Sequence, residues 1–150
     1  MKFFRNMYQK SKEQKGFTLV EMIVVLVIIA ILAAITIPAL LKYIDKAKGK
    51  QVVIDARTAY LAAETAVSEA YAANTPDLKN KTVSFGKTRS GLETDSTVYT
   101  NAENLTGLDT TKYTCTVTID ANWKITKVTF TENSKTAELI IGSSSDWTVN

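Results

Sequence analysis

The feature that most constrains this chain is an apolar stretch of 25 residues, residues 17–41, in which Glu21 is the single charged side chain. As an α-helix it is about 37 Å long, enough to cross a bilayer core of roughly 30 Å. A carboxylate that faces hydrocarbon costs on the order of 2 to 3 kcal/mol at a helix centre and less near an end. Glu21 therefore needs a partner, and we expect its surroundings to be functional.

The net charge of +3 comes from the two flanks of this stretch. Residues 1–16 carry five basic side chains against one acidic, and residues 42–50 carry four against one. From residue 51 onward nine basic side chains face twelve acidic ones, a net charge of −3. We therefore expect no direct nucleic-acid binding. Since both flanks are basic, the positive-inside rule favours a cytoplasmic N-terminus only weakly.

The residue types needed for catalysis are sparse. The sequence has no histidine, the commonest general base and metal ligand, and a single cysteine, Cys115, which we expect to be a buried thiol. It has no phosphate-binding loop or nucleophile elbow, and the Asp120 segment fails as a calcium loop because Lys124 and Thr131 stand at ligand positions. We predict no catalytic site, no metal and no cofactor. A membrane-tethered enzyme is the alternative of a different class.

The helical pattern continues beyond the apolar stretch. Apolar residues recur there at spacings of three and four, which puts them on one helix face. They are Val53, Ala56, Tyr60, Ala63, Val67 and Ala70. Pro76 predicts a helix end near Asn74, because a residue before proline is pushed out of the helical region. We expect one long helix, with a kink or local melting near Pro38.

The C-terminal part alternates with a period of two, as antiparallel strands do. Strands are predicted over residues 113–119, 123–131 and 136–141, with a bulge between Ile125 and Val128 and a short edge strand within residues 146–150. Residues 75–110 are predicted to be a long loop with one short helix near residues 101–105. The amphipathic helix face is the one cover of suitable size for the sheet, so the sequence predicts an α+β fold.

The most specific motif precedes the apolar stretch. The residues Lys15-Gly16-Phe17-Thr18-Leu19-Val20-Glu21, followed by apolar residues and Pro38, resemble the N-terminal signature of the type IV pilin (prepilin) family, which includes the pseudopilins. The resemblance implies cleavage between Gly16 and Phe17 by a membrane prepilin peptidase, and methylation of the new amino group of Phe17. It also implies the type IV pilin fold and assembly into a filament by ATPase-driven machinery.

The charges suit this role. Cleavage would create a positive amine at Phe17, one helical turn before Glu21. The amine of an incoming subunit could pair with Glu21 of a neighbour, and apolar surroundings would strengthen that attraction and fix the axial register. The alternative is a plain single-pass anchor in which Glu21 reaches the membrane interface.

These inferences divide the chain into a cleaved leader (1–16), a transmembrane and polymerisation helix (17–41), its amphipathic continuation (42–74), and a loop-and-sheet head (75–150). We predict a structural subunit, a major pilin, of a type IV pilus used for adhesion, motility or surface display. The alternative is a major pseudopilin of a type II secretion or DNA-uptake machine.

The resemblance also implies the partners and the cellular location of the chain. The predicted partners are other copies of the chain, the prepilin peptidase, the assembly platform with its ATPase, minor pilins and the cell membrane. The predicted location is the bacterial cytoplasmic membrane for a single-pass precursor with a cytoplasmic N-terminus, and then the extracellular filament.

Overall fold

A computed structural model describes residues 16–74, 77–92, 96–142 and 146–150 of the chain. The elements in chain order are α1 (Leu19–Ala73), β1 (Thr82–Gly86), α2 (Thr97–Thr106), β2 (Tyr113–Ile119), β3 (Ile125–Glu132), β4 (Lys135–Ile140) and β5 (Thr148–Val149). The chain divides into two compact units, a first unit of Met1–Tyr43 and a second unit of Ile44–Asn150. The predicted leader lies outside the described residues except for Gly16.

The described part of the first unit is the apolar beginning of α1. Its large apolar side chains are exposed in the isolated chain. By length and composition alone, α1 is sufficient to cross a membrane. The helix continues without interruption through Pro38, so the expected local melting is not found. Pro38 still removes the donor to the carbonyl of Ala34, and a kink there stays a prediction.

The remainder of α1 covers one face of the sheet within the second unit. Its buried residues are small and recur at helical spacing: Val52, Ala56, Ala59, Ala62, Ala63, Ala66, Val67 and Ala70. The buried face is therefore centred slightly differently from the predicted one, and Val53 and Tyr60 are only partly buried. The predicted helix end is confirmed, since Asn74 adopts a left-handed φ of 53° directly after Ala73.

The sheet is an antiparallel meander in which the five strands are adjacent in chain order. Along β2 buried and partly buried residues alternate, as the period of two predicts. The predicted bulge is confirmed: Thr118 pairs with Lys127 but Ile119 pairs with Ile125, which leaves Thr126 as the extra residue. The predicted start of the next strand at residue 123 is wrong, because Trp123 has a φ of 63° and belongs to the turn.

The segment predicted as a long loop contains two elements. Residues 82–86 form β1, and the short helix predicted near residues 101–105 is the longer α2. β1 ends at Gly86, whose φ is 95° and whose added Cβ would lie 2.5 Å from the carbonyl oxygen of Tyr113. The predicted α+β fold is confirmed, with the core between α1, α2 and the sheet.

Candidate assembly site at the start of the long helix

The predicted cleavage junction is exposed and lies outside the helix. Gly16, Phe17 and Thr18 precede Leu19, the first residue of α1. Phe17 is 79% exposed, and a Cβ placed on Gly16 would meet no atom within 4 Å. An exposed, non-helical segment of this kind is the form in which proteases most readily bind a chain.

The side chain of Glu21 is already engaged by its own chain. The backbone N–H of Thr18 donates to Glu21 Oε2 at 2.9 Å, and the Thr18 hydroxyl donates to the same oxygen at 2.8 Å. In return the N–H of Glu21 donates to Thr18 Oγ1 at 3.2 Å. Thr18 is thus the N-cap residue and Glu21 the third helical residue of a reciprocal capping box. The sequence analysis missed this role of Thr18, although the pattern Thr-x-x-Glu ahead of an apolar run is its signal.

The first turn of α1 supplies the partner that the Glu21 carboxylate needs. The N-terminus of a helix carries a partial positive charge, so a carboxylate in the first turn is stabilised there. Both hydrogen bonds that the described residues give to the carboxylate end on Oε2. A carboxylate has about four acceptor positions, so Oε1 of Glu21 can receive another donor without breaking the cap.

The structure brings some of the predicted site residues together. Gly16, Phe17 and Glu21 lie within the first turn of α1 and the three residues before it, whereas Pro38 lies farther along the same helix. The pair between a Phe17 amine and a neighbour's Glu21 needs cleavage and two chains, so it stays a prediction. The buried thiol is confirmed: Cys115 is fully buried, and burial raises its pKa.

Known proteins match this region and more of the chain. The family model described as the prokaryotic N-terminal methylation motif matches residues 11–37. Fimbrial protein Q of Moraxella bovis is 38% identical over 82 residues, which cover 55% of this chain and 46% of that protein. The type IV major alpha-pilin of the same organism is 37% identical over 92 residues, covering 61% and 55%.

A fimbrial protein of Neisseria meningitidis is 30% identical over 105 residues, covering 61% of this chain and 59% of that protein. The chain thus spans about half the length of the curated relatives it matches. No solved structure matches it significantly. The matched motif contains Gly16, Phe17 and Glu21, and the relatives are structural fimbrial proteins and a pilin, not enzymes. By this motif and these partial matches, the chain is similar to type IV pilins and fimbrial proteins.

Proposed function

We propose that this chain is the precursor of the major structural subunit of a type IV pilus. A prepilin peptidase cuts it between Gly16 and Phe17 and methylates the new amine of Phe17. The membrane then holds the mature chain through residues 17–41 until an assembly platform and its ATPase add it to the filament. Minor pilins accompany it, and the filament serves adhesion, motility or surface display. The observation that carries this proposal is the exposed apolar helix with Glu21 in its capped first turn, next to an exposed Gly16–Phe17 junction.

The exposure of the apolar helix requires a cover. Monomeric soluble proteins rarely expose a contiguous apolar surface above a few hundred Å². From Leu19 to Leu41 the large apolar side chains of this helix are exposed, Leu19 itself by 74%. Lipid provides the cover before assembly, and the same helices of other copies provide it in the filament.

The capped carboxylate supports a role for Glu21 between subunits. The hydrogen bonds from Thr18 to Oε2 orient the Glu21 side chain. Oε1 then accepts a hydrogen bond from the amine of Phe17 in an incoming subunit. In apolar surroundings this attraction is strong, and a subunit placed in the wrong register would leave a buried charge unpaired. N-methylation leaves the amine positive, so the modified end keeps the pair.

The test is to replace Glu21 in cells that assemble the filament. Glu21→Gln retains the shape of the side chain and an oxygen that can accept the hydrogen bonds from Thr18, but it removes the negative charge. We expect the protein in the membrane fraction to be unchanged and the fibres recovered by shearing to fall roughly tenfold or more. Thr18→Ala is the matched control, since it weakens the cap and leaves the charge. Normal fibres from Glu21→Gln would contradict the ionic role.

Two further readouts define the proposal. Mass spectrometry of the mature protein should find N-methylated Phe17 as its first residue, and retention of residues 1–16 would overturn the proposal. The alternative, a pseudopilin of a secretion or DNA-uptake machine, has the same N-terminus. Its subunits would be found in short envelope-spanning structures and not in long sheared fibres.

A further inference from the structure

A pocket of about 360 Å³ lies in the second unit, where the middle of α1 meets the start of β4 and the end of β5. Three lysines line it, Lys46 and Lys50 from α1 and Lys135 from β4. The residues come from parts of the chain that are far apart in sequence. The fold is therefore required to assemble this concentration of positive charge.

One of the three lysines is neutralised and fixed in place. Lys135 Nζ lies 2.8 Å from Asp45 Oδ1, and the Lys135 side chain is only 22% exposed. Lys46 and Lys50 have no ion pair among the described residues, and they stand four residues apart on the same helix face. The pocket therefore has a net charge of +2 from four charged side chains.

The remaining lining is apolar. It consists of Gly49, Val53 and Val149. A glycine inside a helix lowers helix stability relative to alanine. A Cβ on Gly49 would meet Val149 Cγ1 at 3.8 Å, an ordinary contact, so packing alone does not demand glycine here. The absence of a side chain at residue 49 keeps the pocket open. Two lysines in the lining of an open pocket suit a negatively charged headgroup.

We propose that this pocket binds the headgroup of an anionic phospholipid while the precursor is held in the membrane, with the phosphate bound by Lys46 and Lys50. The inference rests on the proposed membrane-stored precursor. Lys46 follows Leu41, the last residue of the apolar stretch, by five residues of continuous helix, which is about 7.5 Å of helix rise. Lys50 lies one helical turn farther, and its long side chain can extend back toward the headgroups. Lysines just beyond a membrane span interact with anionic headgroups, whose layer extends about 5 to 8 Å from the hydrocarbon core.

The experiment uses the full chain in non-ionic detergent, with bound lipids counted by native mass spectrometry. The probes are dioleoyl phosphatidylglycerol and dioleoyl phosphatidylcholine. We expect phosphatidylglycerol to be retained about tenfold more than phosphatidylcholine. The double substitution Lys46→Gln with Lys50→Gln should remove this preference. Gly49→Leu should also remove it, because it fills the pocket without changing the charge.

The control is the double substitution Lys79→Gln with Lys87→Gln, which removes the same charge from exposed positions elsewhere in the second unit. The control should retain phosphatidylglycerol as the unchanged chain does. An equal loss in the control would overturn the proposal, because overall charge would explain the binding. Displacement of the lipid by millimolar inorganic phosphate would overturn the lipid as the source of the phosphate group. Native mass spectrometry could instead find a dimer without lipid, and the dimer could disappear in the Lys46→Gln and Lys50→Gln variant. That result would overturn the proposal and assign the pocket to a second copy of the chain.

Flotation with vesicles of phosphatidylcholine and phosphatidylglycerol separates this inference from the proposed function. If the unchanged chain floats but shows no lipid preference, the pocket proposal fails and the membrane-stored precursor stands. If the unchanged chain does not float, the membrane-stored precursor fails, and the lipid pocket fails with it.

Discussion

The two parts of α1 have different surroundings, and their side chains differ accordingly. From Leu19 to Tyr43 the helix is built mainly of large apolar residues, and these are exposed in the isolated chain. Between Ile44 and Ala73 the buried face consists of eight residues, six of which are alanine. Small side chains let a helix backbone approach a sheet closely, whereas large ones present the apolar surface that lipid or neighbouring helices can cover.

The difference separates two sources of stability. The second part of α1 is buried by its own chain, so its packing contributes to the unfolding free energy of the second unit. The first part gains burial only from a membrane or from other copies. Substitutions in the two parts should therefore change different measurements.

The largest effect is expected from Phe130→Ala. Phe130 is fully buried and stacks on Tyr113 with ring centroids 5.2 Å apart. Its truncation should lower the unfolding free energy by about 3 to 5 kcal/mol. Ile29→Ala, in the exposed first part of α1, should change it by less than about 0.5 kcal/mol. Urea unfolding in detergent, followed by tryptophan fluorescence, measures the second unit, because both tryptophans, Trp123 and Trp147, belong to it.

A comparable loss from Ile29→Ala would show that the two parts of α1 are energetically coupled. The first part of α1 would then contribute to the stability of the second unit. No loss from Phe130→Ala would show that the aromatic stack does not hold the sheet together, and another part of the core would have to do so.

An intermediate effect is expected from Glu103→Gln, which weakens the link between α2 and the end of β1. Glu103 forms an ion pair with Arg89 and accepts from the backbone N–H of Gly86 at 3.0 Å. Burial opposes ionisation of Glu103, but the Arg89 and Gly86 hydrogen bonds outweigh it and hold the pKa below the ordinary 4.5. We expect a loss of about 1.5 to 3 kcal/mol at pH 7.

The pH dependence gives the same residue a second readout. Because the folded pKa of Glu103 is lowered, its stabilisation is fully present above about pH 4.5 and is lost as the pH falls through the folded pKa. The gap between the unchanged chain and Glu103→Gln should therefore shrink between pH 5 and pH 2. Glu138→Gln is the matched control, since the Lys127–Glu138 pair is more exposed and should contribute less than about 1 kcal/mol. A gap that is constant with pH would show that charge is not the source.

The smallest effect on folding is expected from Pro38→Ala, in the exposed first part of α1. It restores a donor to the carbonyl of Ala34 and should leave urea unfolding of the second unit unchanged. The proposed filament, built from this variant, should extend less under force, as measured by optical tweezers on single fibres, because the helix loses the site where proline removes a backbone hydrogen bond. An unchanged force–extension curve would mean that Pro38 does not set the compliance of the filament.

Sequence reasoning succeeded where the pattern is local and repeated. The period of two along β2 predicted its buried face, and the slip after Ile125 predicted the bulge. It failed for β1, which has five residues and depends on pairing with the distant β2. It also extended β3 back to Trp123, since β propensity cannot reveal a left-handed φ that is imposed by a turn.

The functional residues also differ in whether local sequence could predict them. The identities and order of Gly16, Phe17 and Glu21 were readable because the motif is contiguous in sequence. The capping box was also local and could have been found from Thr18 and Glu21. The pocket around Lys46 could not have been found, because Lys135 and Val149 reach it only after the sheet has formed.

The burial of Cys115 has a practical consequence for labelling this protein. Its thiol is enclosed by the sheet and α1, and its pKa is raised, so thiolate-directed dyes react poorly with it in the native state. Because it is the sole cysteine of the sequence, a second cysteine introduced at an exposed residue would be the only readily labelled group. A fluorescent maleimide could then label the proposed filament on cells without a background signal from Cys115 of the native chain.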